Sequence, residues 1–170
     1  MSGSSSVVFL DIDGVLNRTS AAKQICIEAE LVARLSRILQ ESGAKIVLST
    51  FWRHFDEYIA YILHRHGIDG ALVIGATPGR NDIAKAPSAG LSRSAFDESE
   101  YTSRALEIRA WLDAHPAVNR FVILDDRSCA ADDATRTHFV QTDATVGLTD
   151  DDVAHALRVL SECTWASGRQ

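Results

Sequence analysis

Asp11 and Asp13 stand two residues apart, directly behind the apolar run Val7–Leu10 and directly ahead of Gly14. Residues two apart on an extended chain share a side, so both carboxylates can face one reacting group. One can attack phosphorus and form an acyl-phosphate. The other can protonate the leaving oxygen and then activate water. Gly14 lets the chain turn away sharply after them. Two further strand-like runs end in polar groups of the same kind. Lys45–Leu48 leads into Ser49 and Thr50, and Arg120–Leu124 leads into Asp125 and Asp126. If these strands are neighbours, carboxylates and hydroxyls converge. Clustered carboxylates repel, and a hard divalent cation such as magnesium, which prefers oxygen ligands, resolves that conflict. An aspartate pair at a strand end can also simply cap a turn. Three such strand ends in series make that explanation insufficient.

The elements that must position these groups follow from periodicity. Short apolar runs at 7–10, 45–49, 71–74, 120–124 and 138–141 suit strands, the first and fourth being the clearest. Helical spacing places apolar residues on one face over 28–41, 55–66 and 102–114. Thr149, followed three residues later by Asp152, opens a last helix with a capping-box-like start. Residues 15–26 read as an irregular excursion or a small hairpin. Residues 75–101, rich in Gly, Pro, Ser and Asp, have no clean period. Alternating strands and helices predict an α/β fold: a Rossmann-like three-layer sandwich on a mostly parallel five-stranded sheet. Ligands of such sheets bind beyond the carboxyl ends of the strands, where the acidic residues lie.

Composition bounds the alternatives. The 170 residues fit one domain, expected over 7–165 between flexible ends at 1–6 and 166–170. A hydrophobic fraction of 46% is ample for a core, and a net charge of −6 gives no basic surface for non-specific nucleic-acid binding. A local basic pocket would still hold one phosphate. No run is long enough to span a membrane, and the start has no secretory pattern. Cys26, Cys129 and Cys163 are odd in number and form no Cys-x-x-Cys, which fits free thiols in a reducing cytoplasm rather than disulfides or a zinc site. His64 and His66 near a helix end suit its dipole better than a metal. Oligomeric state is left open.

Phe9 to Asn17, FLDIDGVLN, resembles motif I of the haloacid dehalogenase (HAD) superfamily, and partner motifs follow in order from about Val7 to Thr142. The set FLDIDGVLN, VLSTFWR (47–53), Arg104 with EIRAWL (107–112), and VILDD (122–126) is similar to the compact HAD-type domains of RNA-repair proteins. The resemblance implies magnesium and phosphoryl transfer through an aspartate. It makes Asp11 the nucleophile and a metal ligand. Asp13 becomes the acid–base residue, with its carbonyl also on magnesium. Asp126 would bind the metal directly, and Asp125 would act through a water or hold the site. For the phosphate-binding hydroxyl, Thr50 is the preferred match and Ser49 the alternative. The family's usual lysine is missing near the start of the helix before the fourth strand. Arg104 takes that role, with Lys85 as the alternative; arginine can grip phosphate with two donors. Arg53 could bind phosphate or form a salt bridge pinning the next helix, with equal weight. Trp52 and Trp111 read as core rather than stacking platforms.

Between Asp13 and Lys45 there is room for a short flap and one helix, so no large cap is expected; 75–101 could form a small lid. The implied activity is a magnesium-dependent phosphatase acting on a phosphorylated substrate, either a nucleic-acid end or another large molecule. A small-molecule phosphatase such as a nucleotidase, or a non-catalytic phosphate-binding domain, are the other readings.

Overall fold

A computed structural model describes residues 5–79 and 103–166. The five strands are β1 (Ser5–Leu10), β2 (Lys45–Leu48), β3 (Val73–Ala76), β4 (Val118–Asp125) and β5 (Phe139–Gln141). They form one sheet in the order β3-β2-β1-β4-β5, and every pairing is parallel. The four helices among the described residues are α1 (Ala29–Ser42), α2 (Asp56–Arg65), α3 (Ser103–Ala114) and α4 (Asp150–Glu162).

Side chains alternate along each strand and sort the sheet into two faces. Val8, Leu10, Ile46, Leu48, Val122 and Leu124 pack with Leu31, Leu35 and Ile38 of α1, Ile59 and Leu63 of α2, and Val153 and Leu160 of α4. Val7, Phe9, Val47, Phe121 and Ile123 pack instead with Ile108, Trp111 and Leu112 of α3. Phe9 meets both Trp111 and Phe121 edge-on, at centroid distances of 5.4 and 5.6 Å. The result is an α/β Rossmann-like sandwich of three layers, with no large cap among the described residues. Between β1 and β2 the chain forms one helix, the 14-residue α1.

Helix ends are set by local chemistry. Gly43 closes α1 in the left-handed region at φ 68°, and its N–H reaches the Leu39 carbonyl. At α4 the expected capping box is present in both directions between Thr149 and Asp152. Asp150 adds an ion pair with Arg37 of α1 at 2.9 Å.

Some boundaries differ from those expected. Ser5 and Ser6, assigned above to a flexible end, extend β1 by pairing with Val118 and Arg120. Polar residues give no local strand signal; the neighbouring strand recruits them. β3 starts two residues late, because Asp69 accepts the Ala71 N–H and winds 70–72 into a tight turn. Gly75 and Ala76 therefore belong to the sheet rather than to a lid. The remainder of the suggested lid, with Lys85, falls almost wholly outside the described residues. Cys26, Cys129 and Cys163 are all free thiols. No helix among the described residues is long and apolar enough to cross a membrane.

Candidate active site

Strand register builds the site. Leu10 pairs with Leu48 on one side and with Leu124 on the other. One residue on, the ladder continues: the Asp11 N–H donates to the Leu124 carbonyl at 3.0 Å, and the Ser49 N–H to the Leu10 carbonyl at 2.9 Å. Ser49, Asp11 and Asp125 thus form one row across the three central strands. By the alternation of the pleat they face the side covered by α3. Arg104, in the first turn of α3, enters from that side.

One guanidinium nitrogen of Arg104, Nη1, donates to Asp11 Oδ2 at 2.8 Å and to Asp125 Oδ2 at 2.6 Å. The second oxygen of each carboxylate is also held. Asp11 Oδ1 accepts the Ile12 N–H at 2.8 Å, and Asp125 Oδ1 accepts the Arg127 N–H at 2.8 Å. Asp126 lies beside them, and one carboxylate oxygen from each of Asp11, Asp125 and Asp126 falls within 4.8 Å of the others. Asp126 Oδ1 is buried with no hydrogen-bond partner among the described residues, although Arg127 Nε stands 3.9 Å away.

The electrostatics follow from this crowding. Burial, and then the charge of Asp11, push the Asp125 carboxyl up to about 7, against the pull of Arg104 and the Arg127 N–H. Burial and the Asp11 charge raise Asp126 as well. Burial on its own would lower Arg104, but Asp11 and Asp125 overcome it and hold the guanidinium firmly protonated. Three carboxylates against Arg104 and the more distant Arg127 still leave a surplus of negative charge. An all-oxygen donor set carrying an orphaned carboxylate oxygen fits a hard divalent cation.

Gly14 makes this approach possible. Its φ is 73°, and a Cβ there would lie 2.7 Å from both Cβ and Cγ of Asp126. Thr142 donates to the Gly14 carbonyl at 2.7 Å and ties the turn to the end of β5.

Asp13 is half-buried, and its carboxylate is fixed by side chains that sequence reasoning did not assign. Asn17 Nδ2 donates to Oδ1 at 2.8 Å, and Trp52 Nε1 donates to Oδ2 at 3.1 Å. Asn17 also accepts the Gly14 N–H at 3.0 Å and donates to the Cys26 carbonyl at 2.9 Å. It is a buried amide whose partners organise the whole turn. Its position three residues after Gly14 was the available signal. Trp111 is core, as expected. Trp52 is half-buried, and its polar edge meets Asp13.

Of the two candidate hydroxyls, Thr50 falls on the opposite pleat parity from Asp11, and its Oγ1 accepts the Trp52 N–H at 3.3 Å. Ser49 shares Asp11's side, and its Oγ is buried without a hydrogen-bond partner among the described residues. Arg53 is committed elsewhere. It pairs with buried Glu107 of α3 at 2.7 Å and donates to the carbonyls of Thr50 at 3.0 Å and Pro78 at 3.1 Å. Of its two suggested uses, the structure displays the pinning salt bridge. Glu107 was not singled out as a partner, although its spacing three residues after Arg104 puts it on the same helix face.

Sheet, row and acidic cluster together define a haloacid dehalogenase-like domain of the compact kind. Within that class the chain belongs to one particular family: residues 7–153 match the family described as HAD domain in Swiss Army Knife RNA repair proteins. No curated protein and no solved structure matches the chain. Membership points to a hydrolase, and the buried aspartates fit a metal site.

Proposed function

We propose that this domain is a magnesium-dependent phosphomonoester hydrolase that works through an aspartyl-phosphate on Asp11. The observation that carries the reading is the convergence of Asp11, Asp125 and Asp126 within 4.8 Å beside a single bridging arginine. Asp11, Asp126 and the Asp13 carbonyl would hold the cation, with Asp125 linked to it through water. When bound, magnesium supplies positive charge that offsets the phosphate dianion against the carboxylates.

The chain's own residues divide the remaining work. An Asp11 carboxylate oxygen attacks phosphorus, the ester P–O bond breaks, and Asp13 gives its proton to the leaving oxygen. Asp13 then takes a proton from water. That water attacks phosphorus, the bond to Asp11 breaks, and inorganic phosphate leaves. Arg104 keeps Asp11 aimed and neutralises charge on the phosphoryl oxygens. Ser49 is the hydroxyl that hydrogen-bonds the phosphate, because its Oγ is unengaged and in Asp11's row, whereas Thr50 is turned away. Arg53 holds the start of α2 against α3.

Two features support a phosphorylated nucleic-acid end as the substrate. The family description names RNA repair proteins, and among the described residues no large cap closes over the strand ends. The test is release of phosphate with magnesium from a generic aryl phosphate, phosphorylated oligonucleotides, free nucleotides and sugar phosphates, with Asp11→Asn alongside. Oligonucleotides should lead, and Asp11→Asn should abolish turnover. No magnesium-dependent release from any of them sinks the catalytic reading, and a preference for sugar phosphates sinks the substrate.

A further inference from the structure

Trp52 contacts two further aromatic rings at the edge of the site. Trp52 lies between Phe51, edge-on at a centroid distance of 5.5 Å, and Phe55, tilted at 6.2 Å. Phe51 is 65% exposed and Phe55 is 55% exposed. Trp52 is tied to the site itself, since its indole N–H is bonded to the Asp13 carboxylate. The exposed rings therefore stand one side chain away from the group assigned to the leaving oxygen. The chain that carries them is fixed from beneath by the Arg53–Glu107 ion pair. Large exposed apolar groups at the mouth of a polar site leave area for a ligand to cover.

The geometry points to a base-binding subsite: Phe51 and Phe55, backed by Trp52, stack the nucleobase next to the phosphate that Asp11 attacks. The inference rests on the phosphatase reading above and specifies what must be attached to the phosphate. A nucleobase fits because it is flat, apolar on its faces, and separated from the phosphate only by a sugar. Stacking on aromatic side chains tolerates any base and needs no hydrogen-bond readout. It also needs no excess of positive charge, and the net charge of this chain is −6. A sugar phosphate without a base would leave both rings bare.

The test measures binding, so that it does not depend on turnover. The full-length Asp11→Asn protein with magnesium is titrated by fluorescence anisotropy with labelled phosphorylated dinucleotides. Each has a matched probe whose phosphate-bearing sugar lacks its base. The base-bearing probe should bind about tenfold more tightly, and Phe51→Ala and Phe55→Ala should each remove most of that advantage while leaving the abasic probe unchanged. Both positions are exposed, so the fold should tolerate them; an unchanged thermal midpoint confirms this. Tyr61→Ala, which removes another exposed aromatic further along α2, should alter neither probe. Equal affinity for the two probes, or unchanged base-bearing affinity in both phenylalanine variants, overturns the subsite. The phosphatase reading fails separately, by lack of phosphate release from the unaltered protein.

Discussion

Gly14→Ala tests whether the close approach of Gly14 and Asp126 builds the acidic cluster. Gly43→Ala is its internal control. Both glycines sit in the left-handed region, at φ 73° and 68°. For an alanine this backbone conformation costs about 1–2 kcal/mol. At Gly43 a new Cβ meets nothing within 4 Å, so the backbone cost stands alone. At Gly14 the new Cβ would lie 2.7 Å from Cβ and Cγ of Asp126. Ordinary carbon contacts lie at roughly 3.5–4.0 Å, so one group must move by about 1 Å. Such overpacking adds roughly 1–3 kcal/mol, for a total of about 2–5 kcal/mol against about 1–2 kcal/mol at Gly43. The clash is with Asp126 Cβ and Cγ, close to its backbone, so the residue as a whole must shift, and that displacement opens the carboxylate cluster. Metal affinity should therefore drop about 10–100-fold in Gly14→Ala, the range seen when supports of a metal site are disturbed, and stay constant in Gly43→Ala. Urea melts in EDTA give the stabilities, and calorimetric titration with magnesium or manganese gives the affinities. If both variants lose the same stability and both keep the parent affinity, the turn is not what shapes the site.

Trp52→Phe removes the indole N–H from Asp13 while keeping an aromatic ring. It should lower kcat about tenfold or more on alkyl phosphates, which need a proton on the leaving oxygen, and far less on nitrophenyl phosphate. An equal loss on both would assign Trp52 to packing alone. Arg53→Met removes the arginine paired with the buried Glu107 carboxylate and should cost about 3–5 kcal/mol in a urea melt, whereas Arg53→Met with Glu107→Gln should recover much of it; failure to recover would contradict the pinning role. In EDTA the raised Asp125 pKa means that the folded chain binds a proton that the unfolded chain has released. Stability should therefore fall as pH rises from about 4 to about 7, with the penalty complete above that range. Magnesium should raise the thermal midpoint more at pH 8 than at pH 5.5, and a midpoint rise independent of pH would count against the cluster as its site.

Local pattern was enough for the elements and the acidic motifs. Apolar runs of strand length ending in Asp11 and Asp125, and helical spacing between them, required only neighbours along the chain, and both α/β alternation and the Thr149 cap were legible in the same way. Which of Ser49 and Thr50 shares Asp11's row was not, because it depends on pleat parity relative to Asp11, and parity is fixed by the pairing of Leu48 with Leu10 across 38 residues. Arg53 could be read equally as a phosphate ligand or as a strut until α3 brought Glu107 within 2.7 Å of it. Trp52 scored as core because hydrophobicity says nothing about where an indole N–H points. Asp126 depends on a turn at Gly14 that is 112 residues away in sequence and in contact in space. Composition and periodicity decide what each segment is, since those forces act over a few residues. Which functional groups meet is decided by sheet register and helix docking, and no single segment contains that information.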